Sequence, residues 1–206
     1  MTPMTLDGPS PAGSAGPQPI RQPTAIDSWL DELSTQVVPG GVAAAALASA
    51  MGAALIIKAA RITLQRQALE DVECRAVEAL VELSSTQKGL LRGLVQADVE
   101  AYRSLLRTRA SQTPPTARDS AWRGVLEIPL QLAEACRLLL DRVPHLVPLC
   151  PPEVRPDLLV GQRLLEVGQH AGQAAAEHNL QAWADDPHAG SPPWAQPRSQ
   201  TSSPGA

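Results

Sequence analysis

The sequence contains no phenylalanine and a single tyrosine, Tyr102. Any core built from it is therefore aliphatic, dominated by Leu, Val and Ala. No alternating run of Val, Ile, Thr and Tyr is bounded by hairpin turns, so the signal of a β-sheet is missing. Lysine occurs only at Lys58 and Lys88, and the net charge of −4 carries no block of basic residues. Nucleic acid is not an expected partner, because phosphate contacts need clustered Arg and Lys. Cysteine is scarce as well. Cys74, Cys136 and Cys150 form no pair at ligand spacing and make an odd, scattered set. This pattern fits a reducing, cytoplasmic setting better than a disulfide framework. The N-terminus has no basic stretch leading into an apolar run, so a secretion signal is not expected either.

What remains is helix, flanked by loose ends. Residues 1–25 and 187–206 are rich in Pro, Gly and Ser and cannot bury enough surface to offset their own ordering, so both read as disordered tails. Residues 26–186 are long enough for one sizeable core. The patterning predicts an all-α domain of about five to seven helices, in an orthogonal or up-and-down bundle. A short helix is expected from Ser28, with Asp31 completing a capping box. An Ala-rich helix is expected from Gly41 to Leu64, then a charged one over 65–83, continuous with it or separate. Ser84-Ser85-Thr86 offers caps for a further helix to Leu105. Another helix runs over 117–143, with Pro129 predicted to kink or break it. The Pro-rich stretch HLVPLCPPEVRP reads as a loop. A last helix runs from Pro156 to Trp183, with Gly161, Gly168 and Ala175 at seven-residue steps where another backbone can come close.

The stretch VVPGGVAAAALASAMGAALIIKAARITL is the most apolar part of the chain. Val37–Ile57 gives 21 residues without a formal charge, against the ~20 that a membrane span needs. Pro39-Gly40-Gly41 would sit inside it, however, and only 16 residues separate Gly41 from Lys58. A buried helix in a bundle, with no membrane partner, is the expected reading.

Several features fall in a recognisable order. The turn PGGVA opens an Ala-rich helix. QADVEAYRSLL sets Asp98 ahead of Ala101-Tyr102. VLEIPLQLAEAC is helical around Pro129, and RPDLLVGQRLLEVGQHAGQAAAEHNLQAW runs from Asp157 past Asn179. The chain thereby resembles the formiminotransferase-cyclodeaminase C-terminal domain family, whose stand-alone members include methenyltetrahydrofolate cyclohydrolases. It departs from the family where Val42 and Ala43 replace a Gly and a Ser, and where Val154-Arg155-Pro156 stands in place of Asn and Ser before the aspartate. The resemblance implies a cyclodeaminase-like bundle, a homodimer, and a tetrahydrofolate derivative as substrate. The implied reaction is hydrolysis of 5,10-methenyltetrahydrofolate to 10-formyltetrahydrofolate, or deaminating ring closure of formiminotetrahydrofolate. A non-catalytic helical dimer that keeps the fold as a binding or scaffold protein is the alternative.

Either reaction needs an acid or base, and a negative group facing developing positive charge. Asp98 sits between Val95 and Val99 on an apolar stretch, where burial would raise its pKa; the other reading is a solvated aspartate paired with an arginine. Asp157 is a second catalytic candidate, or simply a favourable first-turn aspartate. Glu127, just before Pro129, is a third. Gly40 and Gly41 could present backbone N–H groups to a ligand at a helix N-terminus, or serve only as a turn for close packing. Tyr102 completes the binding set. So does Arg155, which like Arg163 or any other arginine could meet a folate's glutamate tail. His170 and His178 lack a third ligand at suitable spacing, so no metal is expected.

Overall fold

The structure, a computed structural model, describes residues 25–108, 113–187 and 189. The expected tails lie outside the described residues except for Ala25, Pro187 and Ala189. The described residues form helices α1 (Ala25–Thr35), α2 (Gly41–Arg66), α3 (Asp71–Arg107), α4 (Pro115–Leu140), α5 (Val143–Leu146) and α6 (Arg155–Ala184), with no strand among them.

Four long helices make an up-and-down bundle in which α2 packs against α3 and α6, and α4 against the same two. Opposed numbering at the contacts fixes the directions. Gly52 of α2 meets Gly161 of α6, whereas Ser49 meets Gly168. Along the α4–α6 pair, Cys136 meets Gly168 and Pro129 meets Gly172. Ile56, Leu91, Leu132, Leu139, Leu158 and Leu165 are fully buried between the helices, each worth roughly 1.5–3 kcal/mol of transfer free energy. Helix α1 buries none of its residues.

The α2–α6 seam explains the small side chains. A Cβ placed on Gly52 would lie 2.7 Å from the Gly161 carbonyl oxygen, and one on Gly161 2.9 Å from that of Gly52. These backbones touch, so only glycine fits at either position. Gly161 and Gly168 are buried as the seven-residue spacing predicts, but the third close approach falls at Gly172 rather than Ala175, which stays partly exposed. There a Cβ would stand 2.5 Å from the Pro129 carbonyl oxygen of α4. Helix α2 is long and apolar enough to cross a membrane by length and composition, yet 56% of its most apolar window is buried inside the protein.

Several boundaries differ from the sequence reading. The break after α2 falls at residues 67–70, where Glu70 and Glu73 form a reciprocal capping box. The Glu70 N–H donates to Glu73 Oε2 at 3.0 Å. Helix α3 then runs unbroken through Ser84-Ser85-Thr86. The Ser85 hydroxyl donates to the Val81 carbonyl at 2.7 Å, a bond that accommodates serine inside a helix instead of capping a new one. Helix α1 is already helical at Ala25, ahead of the expected Ser28 cap. Pro129 is buried within a single helix α4, and the one-turn helix α5, with Pro144 in its first turn, takes in only His145 and Leu146 of the Pro-rich stretch that follows.

Candidate functional site

Helix α2 begins without a cap of its own. Its N-cap residue is Gly40, which has no side chain to offer. The first bond within the helix runs from the Ala44 N–H to the Gly40 carbonyl at 3.0 Å. The amides of Gly41, Val42 and Ala43 therefore have no partner inside the helix. Asp98, on α3, answers part of this deficit by accepting a hydrogen bond from the Ala43 N–H. One helix thus caps another, and a carboxylate rests against the positive end of the α2 dipole.

Burial raises the Asp98 carboxyl above its ordinary range, and the Ala43 amide only partly offsets that rise. Asp98 makes no ion pair among the described residues. A carboxylate that is desolvated, lacks a counter-ion and is held by one amide is a proton acceptor poised for a cation. Tyr102 lies one turn further along the same face of α3 and is half-buried.

The two glycines of the turn have a different status from those of the seam. Gly40 has φ −113, a value open to any residue, and no described glycine has positive φ. A Cβ added to Gly40 or Gly41 would meet nothing within 4 Å. Neither conformation nor packing within this chain requires glycine there, and open space borders the turn beside Asp98. The Val38–Pro39 peptide leading into it is cis.

The other sequence candidates lie elsewhere. Asp157, in the first turn of α6, pairs with Lys58 at 2.6 Å. Lys58 follows Gly41 by 17 residues on α2, about 25 Å along the axis. Arg155 sits at that same distant end and donates from Nη2 to the Cys150 carbonyl at 3.1 Å. Glu127 is exposed on α4 and lines two apolar grooves with Leu130, neither of which includes Asp98. Within one chain, then, Gly40, Gly41, Asp98 and Tyr102 share a neighbourhood, Asp157 and Arg155 share another, and Glu127 belongs to neither.

Sequence reasoning did not single out the Ala43 amide or Arg103. The amide could have been inferred, since a helix opening on Gly-Gly must find its cap elsewhere. Arg103 lines a cleft of about 550 Å³ with Glu32, Gln36, Val37 and Val38. No pattern in the chain marks Arg103 apart from its neighbours. Asn179, noted only as part of a motif, donates from Nδ2 to the Val125 carbonyl at 2.7 Å and ties α6 to α4. Among the described residues no group of three or more His, Cys, Asp and Glu is placed to hold a metal ion, and His170 and His178 are exposed.

Known proteins resemble this chain in sequence and in fold. The chain is 29% identical over 125 residues to the methenyltetrahydrofolate cyclohydrolase of Methylorubrum extorquens, covering 56% of this chain and 60% of that protein. It is 25% identical over 181 residues to the formimidoyltransferase-cyclodeaminase of Mus musculus, covering 84% of this chain and 33% of that one. The chain thus spans less than two thirds of either relative. Among solved structures, the formiminotetrahydrofolate cyclodeaminase of Thermotoga maritima matches with a TM-score of 0.69 at 18% identity, over 80% of this chain and 82% of that one; this likeness establishes the fold. Residues 25–191 match the family described as formiminotransferase-cyclodeaminase. With that match across the whole helical bundle, the chain belongs to the formiminotransferase-cyclodeaminase family.

Proposed function

We propose that the chain binds a tetrahydrofolate one-carbon derivative at the entry of α2 and hydrolyses 5,10-methenyltetrahydrofolate to 10-formyltetrahydrofolate, with Asp98 as the base. The observation that carries this reading is the half-buried Asp98 carboxylate, lacking a cation among the described residues and set against the open glycine turn. The substrate's bridging carbon belongs to an amidinium cation, which supplies the missing positive charge. Water attacks that carbon while Asp98 takes its proton. The carbon–N5 bond then breaks as N5 takes the proton held by Asp98 and the adduct's hydroxyl proton passes to solvent, leaving the formyl group on N10. The amides at the start of α2 favour electron-rich atoms of the ligand. Formimino ring closure with loss of ammonia is the second reading. It draws on the two cyclodeaminases to which this chain is similar and uses protonated Asp98 as the acid for the departing nitrogen.

The same proposal includes a homodimer. Helix α2 turns Met51, 52% exposed, outward, with Ala54 exposed one turn away. Small apolar side chains on an open helix face suit close packing against a second copy. An antiparallel α2 pair with its two-fold axis beside Met51 would carry Asp157 of the partner subunit towards the Asp98 end. Substituting Met51→Asp should then yield monomers in sedimentation and lower the activity; an unchanged sedimentation coefficient would remove the dimer.

The decisive experiment follows the absorbance of the methenyl chromophore. Wild type should consume it, and Asp98→Asn should be slower by roughly 10²–10⁴-fold. Failure of the wild-type chain to bind reduced folate at near-saturating concentration would reject both reactions and leave the non-catalytic scaffold.

A further inference from the structure

We propose that the groove between α3 and α4 binds a small organic cation, an ammonium group on an alkyl or aryl body. Gln87 and Glu127 accept from its N–H groups, and Leu90 and Leu130 cover its body. The groove holds about 390 Å³. On α4 it is lined by Glu127, Leu130, Glu134 and Leu138, steps of three and four that put them on one helix face. Gln87 and Leu90 line it from α3, again three residues apart. Ala135 is buried at its base, while Leu90 and Leu130 are 42% and 55% exposed. The groove shares no residue with the entry of α2, and its reading does not depend on the folate chemistry.

The polar groups of the groove select the charge of the ligand. Gln87 is 9% exposed, and its Oε1 is closed off from solvent with no hydrogen-bond partner among the described residues. One turn earlier on α3, the Ser84 hydroxyl is buried without a partner as well. Folded proteins leave few such groups unmet, because each keeps its full desolvation cost. The last torsion of a glutamine side chain is broad, so the Gln87 amide can turn Oε1 towards a donor placed in the groove. Glu134 is already occupied, since Arg137 donates to its two oxygens at 2.8 and 2.7 Å. Glu127 has no such partner among the described residues, and the lining includes no Lys, Arg or His. An anion would face Glu127 unopposed, whereas an ammonium head meets an amide oxygen and an unpaired carboxylate. The groove on the other side of Glu127 is acidic too, through Glu177, but no buried unpartnered group lines it among the described residues. Gln87 is what distinguishes the α3–α4 groove.

Calorimetric titration of the full chain with 4-phenylbutylamine and with 4-phenylbutyrate, a carboxylate on the same body, tests the charge. The amine should bind and the acid should not. Glu127→Gln should weaken the amine by roughly tenfold, the worth of a charge-assisted hydrogen bond, and Gln87→Leu by a similar factor. Glu127 is exposed, and Gln87→Leu removes a buried group that has no partner, so neither variant should melt below wild type. That separates lost recognition from lost folding. Amide shifts in the NMR spectrum should locate the amine at residues 86–90 and 127–138. Equal binding of amine and acid would overturn the proposal, as would equal affinity of wild type and Glu127→Gln for the amine. Shifts gathered instead at the entry of α2, where Asp98 also lacks a cation, would overturn it too. So would a wild-type chain that does not bind the amine.

Discussion

Two aspartates stand near opposite ends of α2, and their surroundings differ in every respect that matters for chemistry. Asp98 is half-buried, has no cation, and caps the helix start through the Ala43 amide. Asp157 has a side chain 37% exposed and holds Lys58, itself 55% exposed, in an ion pair. Asp157 is satisfied where it stands. Asp98 carries a desolvation cost that one amide does not repay, and such a group is stabilised further by any cation that docks against it. The sequence offered both as catalytic candidates, Asp98 from an apolar helical stretch and Asp157 from the first turn of a helix, where an aspartate is favourable in any case.

The sharpest way to break this comparison is Asp98→Asn, with the expected loss in chromophore turnover given above. The amide oxygen of Asn can still accept from Ala43, so the cap is kept while the charge is removed. Because burial raises the folded-state pKa above the ordinary 3.8, the folded protein binds this proton more tightly than the unfolded chain. Asp98 therefore costs no stability below the unfolded value, and the cost grows as pH rises from there to the folded pKa. Thermal melts should show Asp98→Asn matching wild type in acid and gaining on it towards neutral pH. A variant less stable than wild type at pH 7 would mean that the carboxylate is there for the fold, and the catalytic reading would lose its main support. If the activity is real, its acidic limb should lie above the ordinary aspartate range in the free enzyme.

Next in size is a contrast between glycines. A Cβ on Gly168 would stand 1.9 Å from Ser49 Oγ and 2.8 Å from Cys136 Sγ, whereas one on Gly41 meets nothing. Gly168→Ala should destabilise the bundle by about 1–3 kcal/mol, the usual penalty of overpacking, seen as a lower denaturation midpoint. Gly41→Ala should leave that midpoint in place and weaken folate binding if the ligand approaches the turn. Equal stability loss in both variants would erase the distinction between a packing glycine and a ligand-facing one.

These contrasts also show what could be read from the chain in advance. The helical class followed from the missing β pattern and the spaced Leu and Ala residues. The seam followed from Gly161 and Gly168, because small side chains at seven-residue steps fall on one face. Close approach at Gly172 was not legible, since it depends on the Pro129 carbonyl of a helix 43 positions earlier in the chain. The Ser84-Ser85-Thr86 segment misled because serine caps helices as readily as it bonds back to a carbonyl. Only the packed α3, with Ser84 fully buried, decides between these. At the site, an enzyme was expected to gather Asp98, Asp157 and the glycine turn around one pocket. Asp98 does lie against the turn, but Asp157 stands with Lys58 at the far end of α2, and the fate of Arg155 was not foreseen. A side chain's hydrogen-bond partner is a tertiary fact, and the Cys150 carbonyl it meets belongs to a loop with no regular pattern.

A smaller effect is expected from replacing Asp98 by alanine and comparing it with the asparagine variant. Alanine leaves the Ala43 N–H without its acceptor, a loss of about 1–2 kcal/mol for a helix cap, set against relief of the desolvated charge. Both variants should show the same large loss of turnover, but alanine should have the lower denaturation midpoint of the two. Equal midpoints would mean that water replaces the cap at no cost, and that the hydrogen bond does not hold α3 to α2.

The smallest effect belongs to the far end. Exposed ion pairs contribute about 0–1 kcal/mol because solvent screens them and ordering two long side chains costs entropy. Asp157→Asn should therefore shift the melting temperature little, and less still in high salt. Activity is the informative readout. A subunit acting alone places Asp157 too far along α2 to touch a ligand at Asp98, so turnover would be unchanged. In a two-fold dimer that brings the partner's end across, turnover falls, and mixing Asp157→Asn with Asp98→Asn subunits should restore part of it, because one of the two composite sites then regains both carboxylates. An Asp157→Asn variant as active as wild type, whose activity in the mixture is only diluted by the Asp98→Asn subunits, would confine the chemistry to a single chain and leave Lys58–Asp157 as a surface ion pair.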